Sequence, residues 1–358
     1  MNTIAHKFTK LGGEKGILGQ PLDIELACPD GLGKYRVYQG GAIYWYPNVG
    51  AFEVHGVIRE KWASLGSERS FLGYPTTDES TTPDGVGRYN HFQGGSIYWH
   101  PDVGAFEAHG AILEKWASLG WEQSFLGYPM TDESTTPDGA GRYNHFQGGS
   151  IYWHPDLGAS EVHGAIRDKW ASLGWEKSFL GYPKSDENSE PDGICRCSYF
   201  QHGFIYFHPD VGAFAMADNS FVKPTTTLGG SFDPNFGCQW PGQWRTSWAS
   251  PTGSYWGNMN IDAMGKAQLQ MDVPAGDYST LSGVGSLVTD TFGNVVAYRY
   301  SGQWKREQGS SGGSNQYGQF VLDLSFDSFN NICKFVGFWT YGNEDPLYSS
   351  NKWIWQGA

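Results

Sequence analysis

A fixed spacing of 54 residues organises the first 218 residues of this 358-residue chain. Residues 57–110 and 111–164 agree at 45 of 54 positions, which defines the register of the repeat. Such a period indicates units that bury their apolar faces only against their neighbours. The tetrapeptide Leu-Gly-Tyr-Pro marks three copies and Leu-Gly-Gln-Pro a looser fourth, at Leu72–Pro75, Leu126–Pro129, Leu180–Pro183 and Leu18–Pro21. The sequence predicts four units, at about 3–56, 57–110, 111–164 and 165–218.

Each unit is predicted to contain a short helix and a β-hairpin. In unit 57–110, Ile58, Trp62 and Leu65 lie on one helical stripe, and Gly66 stands where a left-handed cap ends a helix. Two strands flank Gly94-Gly95, which reads as a two-residue hairpin turn. The units are expected to stack or to close into a propeller-like ring.

This hairpin turn would place an apolar set of side chains on one face and an aromatic, hydrogen-bonding set on the other. On the core face, Phe92 would pair with Ile97, and Asn90 would pair with Trp99. On the outer face, His91 would pair with Tyr98, and Tyr89 would pair with His100. Tyrosine and histidine rings presented together suit flat, hydroxylated ligands, although the same face could instead pack against the next unit. The candidate ligand-binding residues are Tyr44, Tyr89, His91, Tyr98, His100, Tyr143, His145, Tyr152, His154, Tyr199, Tyr206 and His208.

The tetrapeptide, Thr77-Asp78-Glu79, the strand around Gly94-Gly95-Ser96-Ile97-Tyr98 and the Gly104-Ala105 bend resemble the LGFP repeat family, with Tyr in place of its Phe. The resemblance covers about residues 1–218. It implies a non-catalytic module that binds a glycan-rich surface, because the family is best known from cell-envelope proteins of mycolic-acid bacteria. It implies no particular ligand residues.

Three recurring motifs invite a chemical interpretation. Glu-x-His at Glu53–His55, Glu107–His109 and Glu161–His163 could hold a metal ion or could close the hairpin as a hydrogen-bonded pair. His-Pro-Asp recurs at 100, 154 and 208, and a motif needed in every unit favours a turn over catalysis. Acidic loops near Asp78 and Asp84 could bind Ca²⁺, but they lack the alternating ligands of calcium loops and favour solvated turns.

Charge and composition limit the partners. Residues 1–218 hold 16 basic and 27 acidic residues, a net charge of −11, which argues against nucleic acid or an anionic membrane surface. The apolar runs are too short for a transmembrane helix, and the start lacks a secretory pattern. The protein is therefore expected to be cytoplasmic or released without a visible signal, or secreted if a leader has been trimmed. Free thiols are favoured over a Cys238–Cys333 bridge.

Residues 219–230 read as a linker, and residues 231–358 read as a second, β-rich domain. Alternating runs such as 267–273, 295–300 and 319–326 predict a β-sandwich or small β-barrel. This domain has no histidine, which removes Ser-His-Asp and Cys-His catalysis. Trp240 and Trp244 lie among Gly and Pro and are candidate stacking platforms, with core packing as the alternative.

The sequence as a whole favours a mainly β, lectin-like protein that binds glycans or cell-wall polysaccharide through repeated weak sites and needs no cofactor. Homo-oligomerisation through the C-terminal domain is a further expectation. Two other classes stay open. One is a polysaccharide- or ester-active hydrolase that uses the array as a targeting module. The other is a defence toxin that docks through the array, although no amphipathic membrane-inserting helix supports it.

Overall fold

The structure, a computed structural model, is mainly β, as the sequence predicts, and its described residues include four short α-helices. It divides into two compact units, 1–167 and 168–358. Beyond residue 221 it describes the backbone of the strands and a subset of their side chains. The described residues are 3–189, 195–209, 212–218, 222–224, 242–250, 253–261, 266–271, 278–289, 295–308, 317–327, 332–341, 343, 346–347 and 353–357.

One helix precedes the sheet of each repeat. Ile58 and Trp62 are buried along one stripe of the second helix, and the third helix buries Ile112 and Trp116 in the same way. Gly66 ends the second helix with φ 110°, the left-handed cap that the sequence predicts. The helices are α1 (Ile4–Lys10), α2 (Gly56–Leu65), α3 (Gly110–Leu119) and α4 (Gly164–Leu173).

Each repeat contains a four-stranded antiparallel sheet, two strands more than the predicted hairpin. The Gly-Ala bend and the Glu-x-His motif together form the fourth strand, which pairs with the third. The strands are β1 (Leu26–Ala27), β2 (Lys34–Val37), β3 (Gly41–Tyr46) and β4 (Gly50–His55); β5 (Ser80–Thr81), β6 (Arg88–His91), β7 (Gly95–His100) and β8 (Gly104–His109); β9 (Ser134–Thr135), β10 (Arg142–His145), β11 (Gly149–His154) and β12 (Gly158–His163); and β13 (Asn188–Ser189), β14 (Arg196–Phe200), β15 (Gly203–His208) and β16 (Gly212–Ala217).

The hairpin between β6 and β7 has a different register from the predicted one. The turn residues are Gln93 and Gly94, and Tyr89 pairs with Tyr98. A Cβ on Gly94 would lie 2.1 Å from the carbonyl oxygen of Phe71, so this glycine is required by close backbone packing rather than by turn dihedrals. The pairing changes by two residues, and each side chain therefore keeps its predicted face.

Each helix shares its core with the sheet that follows it. Ile58 and Trp62 of α2 pack with Leu72, Phe92 and Ile97, and α3 forms the equivalent cluster in the next repeat. The indole Nε1 of Trp62 donates a 3.1 Å hydrogen bond to the carbonyl oxygen of Gly73, which attaches the helix to the Leu-Gly-Tyr-Pro segment. None of the helices in the described residues has the length and hydrophobicity that crossing a membrane requires.

The strands beyond the repeats form a single antiparallel sheet where the sequence predicts a sandwich or small barrel. Consecutive strands from the second to the ninth pair with each other, and the second also pairs with the ninth, so the order of pairing is cyclic. The strands are β17 (Val222–Pro224), β18 (Gly242–Ser250), β19 (Gly253–Ile261), β20 (Lys266–Met271), β21 (Tyr278–Thr289), β22 (Val295–Gln308), β23 (Tyr317–Asp327), β24 (Ile332–Tyr341) and β25 (Trp353–Gly357).

The fourth repeat packs against this sheet within unit 168–358. Its Phe204 and Tyr206 share a buried cluster with Val321 and Phe338. Arg299, which is 1% exposed, binds both carboxylate oxygens of Asp323 at 2.7 Å and donates a 2.8 Å hydrogen bond to the carbonyl oxygen of Ala217. The boundary between the two compact units falls within α4, so the fourth sheet belongs to unit 168–358. Within the predicted linker 219–230, Val222–Pro224 pairs with β21, and the remaining residues lie outside the described part of the chain.

Candidate functional site

The predicted outward-facing aromatic side chains are only partly accessible. Tyr98, Tyr152, Tyr206 and His208 are buried, which corrects the expectation that this face is open to solvent. Tyr98 is 4% exposed because Trp116 of α3 covers it edge to face, with ring centroids 4.6 Å apart. Burial raises the pKa of its hydroxyl. The remaining predicted residues of this face are half-buried: Tyr44, Tyr89, His91, His100, Tyr143, His145, His154 and Tyr199.

Four rings on the outer face of the second sheet form the Tyr89 cluster, which we define as Tyr89, His91, Tyr98 and Trp121. Tyr89 stacks on Tyr98 with centroids 5.2 Å apart and lies 4.9 Å from the His91 ring. Trp121 lies 6.1 Å from Tyr98, nearly parallel to it, and 6.3 Å from His91. The hydroxyl of Ser96 lies 2.7 Å from His91 Nδ1, and burial lowers the pKa of this imidazole. The prediction from sequence omitted Trp121.

The His-Pro-Asp motif forms a turn, as expected, but the histidine rather than the aspartate caps it. The backbone N–H of Asp102 donates a 3.2 Å hydrogen bond to His100 Nδ1, and Asp156 and His154 repeat this contact. The His100 ring also lies 4.7 Å from the ring of Tyr128. His100 is therefore a turn-forming residue at the boundary between the second and third repeats.

The tyrosine of the Leu-Gly-Tyr-Pro motif connects successive repeats. The Tyr74 hydroxyl donates to the Asp30 carboxylate of the preceding repeat at 2.7 Å. Tyr128 makes the same contact with Asp84, and its hydroxyl also lies 2.8 Å from that of Thr82. The hydrogen bonds from Tyr74 and Tyr128 help hold the carboxyl pKa of Asp30 and of Asp84 below its ordinary value, against the opposing effect of burial. These motif residues serve assembly of the array.

The Glu-x-His motif also lies at a boundary between repeats. Glu53, which is 1% exposed, accepts a 2.8 Å hydrogen bond from the backbone N–H of Glu79 in the next repeat. Its second oxygen lies 2.7 Å from His55 Nδ1, and His55 Nε2 lies 3.3 Å from Glu79 Oε1. The imidazole thus lies between two carboxylates. The hydrogen bond to Glu53 raises the pKa of His55, and burial raises the pKa of Glu79.

This arrangement gives no support to the metal hypothesis for Glu-x-His. Both ring nitrogens of His55 face carboxylate oxygens, and no group of three or more potential ligands suited to a metal ion occurs among the described residues. In the acidic loops, Asp78 accepts hydrogen bonds from Lys7 and from the backbone N–H of Glu53. Calcium binding by these loops stays a prediction.

A cavity of about 210 Å³ opens where the second repeat meets the end of the first, and we call it the first junction pocket. His55, Glu79, Arg88 and Trp99 line it, together with the first three residues of α2. Arg88 pairs with Trp99 across β6 and β7, so both side chains lie on the same face of the sheet. The guanidinium Nε of Arg88 lies 3.8 Å from the same Glu79 oxygen that faces His55. The pocket therefore combines an acid, two bases and an indole.

The equivalent residues meet at the next boundary between repeats and define the second junction set: His109, Glu133, Arg142 and Trp153. His109 Nε2 lies 3.2 Å from Glu133 Oε1, and Arg142 pairs closely with the same carboxylate. Burial alone would lower the pKa of His109, but its hydrogen bond to Glu107 and the nearby carboxylates raise it above the ordinary value. Arg142 pairs with Trp153 across β10 and β11. The polar geometry of the first junction is thus repeated.

The two predicted stacking platforms of the C-terminal domain lie wholly or partly outside the described residues. Trp240 lies outside the described residues. The backbone of Trp244 belongs to β18, within a strand rather than a loop, and its side chain lies outside the described part. Cys28, Cys195 and Cys197 are buried thiols, whereas Cys238 is also outside the described residues.

The sequence pattern of the LGFP repeat matches residues 18–70, 72–124, 126–178 and 180–223. The chain belongs to the LGFP-repeat family. The family repeat begins at the Leu-Gly-Tyr-Pro motif, so each family repeat contains a sheet followed by a helix. The hydrophobic core divides the chain differently, because α2 packs against the sheet that follows it in the next family repeat.

No protein in the curated set matches this LGFP-repeat protein. The crystal structure of the glycoside hydrolase, family 43 YxiA protein from Bacillus licheniformis is similar over 95% of this chain and 98% of that chain, at 9% identity and a TM-score of 0.19. A TM-score this low shows no common fold, and nothing about activity follows from it.

Proposed function

We propose that this LGFP-repeat protein is a non-catalytic, multivalent carbohydrate-binding protein that binds sugars in the first junction pocket and at the equivalent second junction set. The observation that carries the proposal is the first junction pocket, where Glu79 and Arg88 lie beside the half-buried indole of Trp99. Sugar hydroxyls both donate and accept hydrogen bonds, and a carboxylate next to a guanidinium offers partners for both. An indole beside this pair suits the apolar face of a sugar ring.

The size of the pocket favours a single sugar ring over a larger ligand. A volume of about 210 Å³ is below the range of about 300–1,000 Å³ that drug-sized ligands occupy. Affinity for one ring in such a small, open site is expected to be weak. The second junction set offers the same residue types at the next boundary, and linked weak sites gain avidity when a polysaccharide spans them. The family resemblance to cell-envelope proteins points to the same class of ligand.

Removing the two arginines tests the proposal. We expect wild-type protein to be retained on a polysaccharide or glycan array, and the double variant Arg88→Ala/Arg142→Ala to lose this retention. Each single variant should keep part of it, because one site remains and only avidity is reduced. The side chains of Arg88 and Arg142 are 48% and 39% exposed, so their removal should leave the fold intact.

Arg69→Ala is the matched control, because Arg69 is exposed and does not line the pocket. It removes one positive charge, as each single variant does, while leaving both junctions unchanged, and it is therefore compared with Arg88→Ala and Arg142→Ala. Retention of the double variant at the wild-type level would contradict the proposal. So would an equal loss in Arg69→Ala, since that result would show attraction by net charge alone.

A further inference from the structure

A bulky residue in a left-handed backbone conformation draws attention to the Tyr89 cluster. Trp121 has φ 58°, a region that residues with large side chains rarely adopt because of steric crowding. It directly follows Gly120, the left-handed cap of α3. Strained residues of this kind are concentrated at functional sites, and an observed outlier justifies a functional hypothesis.

The backbone at this position requires a positive φ in every repeat, but it does not require an indole. The equivalent residues of the first two repeats are small, Gly13 with φ 57° and Ser67 with φ 53°. At the Ser67 boundary, Tyr44 still packs edge to face on Trp62 at 4.7 Å, as Tyr98 does on Trp116. The junction therefore assembles without the indole. Compared with Gly13 and Ser67, Trp121 adds a half-buried indole ring that extends the Tyr89 cluster.

We propose that the Tyr89 cluster is a second carbohydrate site, which binds the apolar face of an uncharged pyranose ring by stacking on Trp121 and Tyr89. Both side chains are half-buried, so part of each ring meets solvent. None of the four side chains is a carboxylate or an amine, and burial lowers the pKa of His91, which disfavours its charged form. The nearby Glu122 carboxylate is buried and helps raise the pKa of the Tyr98 hydroxyl, so a negative charge beside the rings also disfavours an anionic ligand. Stacking on aromatic faces with an imidazole at the edge selects a neutral, partly apolar ligand over an anion.

This site is separate from the first junction pocket, although both use the same sheet. Tyr89 pairs with Tyr98, and Arg88 pairs with Trp99, and adjacent residues of a strand point to opposite faces. The two sites therefore differ in position and in chemistry: one is polar with a single indole, and the other is an uncharged aromatic surface. The Tyr89 cluster does not depend on the junction proposal.

The test uses the full chain and methyl β-D-glucopyranoside as the probe, with glucuronic acid as the charged comparison. Saturation-transfer NMR should show contact from aromatic protons to one face of the glucoside, and a weaker signal for the glucuronate. In the Arg88→Ala/Arg142→Ala background, which removes the junction sites, Trp121→Ser installs the residue found at position 67 and should weaken binding of the glucoside about tenfold, the loss of about one stacking contact. Tyr89→Ala is the second variant, and its loss should be of similar size.

Arg88→Ala/Arg142→Ala separates this proposal from the junction sites. It should remove most of the retention on polysaccharide, because avidity falls, while leaving the part of the glucoside signal that the unchanged Tyr89 cluster gives. The inference is overturned if Arg88→Ala/Arg142→Ala gives no transfer to the glucoside. It is also overturned if adding Trp121→Ser to this double variant, with an unchanged circular dichroism spectrum, leaves binding of the glucoside unchanged.

Discussion

Replacing Tyr128 by Phe tests whether the motif tyrosine couples adjacent repeats. The substitution removes one hydroxyl and leaves the volume of the side chain nearly unchanged, so cavity formation contributes little. That hydroxyl contacts both carboxylate oxygens of Asp84 at 2.8 and 2.7 Å, the Thr82 hydroxyl at 2.8 Å and the backbone N–H of Gly87 at 3.1 Å. All three partners belong to the preceding repeat.

The size of the effect follows from what each partner retains. A hydrogen bond to a charged group contributes about 1.5–3 kcal/mol, but Asp84 is exposed and can recover water. Thr82 still binds both Asp84 and the Gly87 N–H, at 2.7 and 2.8 Å. We therefore expect a loss of about 1.5 kcal/mol in the free energy of unfolding. For a unit of this size that corresponds to a fall of about 3–6 °C in Tm.

Differential scanning calorimetry of the full chain measures this change. Tyr89→Phe is the control, because no hydrogen bond from the Tyr89 hydroxyl occurs among the described residues. Its transition should stay within about 1 °C of wild type. A Tyr128→Phe variant that unfolds at the wild-type temperature would show that this hydroxyl does not stabilise the boundary. Tyr74→Phe should cause a loss of similar size, since the Tyr74 hydroxyl contacts both carboxylate oxygens of Asp30 at 2.7 Å and hydrogen-bonds with Cys28.

Three other changes probe the same architecture. Gly87→Ala would place a Cβ 2.5 Å from the Tyr128 ring, so we expect the free energy of unfolding, measured by chemical denaturation, to fall by more than about 3 kcal/mol. Gly85→Ala is the control: it has open space around it and should lower the free energy of unfolding by only about 1 kcal/mol. The raised pKa values of His55 and His109 mean that the folded state binds more protons, so Tm should fall as pH rises from about 7 to 9. This window lies above the range in which the lowered pKa values of His91, His145 and His202 act in the opposite direction, and a Tm that rises within it would contradict the paired imidazoles. Arg299→Leu leaves the buried carboxylate of Asp323 unpaired and should destabilise unit 168–358 by about 3–5 kcal/mol. Urea titration measures this change, and an unchanged midpoint of unfolding would contradict a structural role for the Arg299–Asp323 pair.

Local features of the repeat could be predicted because they depend on neighbours close in the chain. The apolar stripe of α2, its left-handed cap at Gly66 and the two faces of the hairpin follow from the helical and strand periodicities. The pairing across β6 and β7 could not be predicted so well. A glycine pair indicates a turn, but the close approach of Gly94 to Phe71, from outside the hairpin, decides which residues form it.

The candidate sites were only partly predictable. Tyr89, His91 and Tyr98 were all predicted on the outer face; Tyr89 and His91 are half-buried there, whereas Tyr98 is covered by Trp116. Trp121 was missed, although a signal exists: a large aromatic residue follows the helix cap in two repeats where Gly and Ser stand in the others. The first junction pocket was missed because its residues come from two repeats.

The sequence by itself determined the repeat, its family, its short helices and the alternation of faces. Only the tertiary structure decided what the repeated motifs do. Tyr128 meets Asp84 across 44 residues, and Lys61 meets Asp132 across 71 residues. Periodicity constrains each unit from within, but the distance between such residues depends on how one unit packs on the next. The same side chain can therefore read as a ligand-binding group in the sequence and prove to be a contact between repeats in the fold.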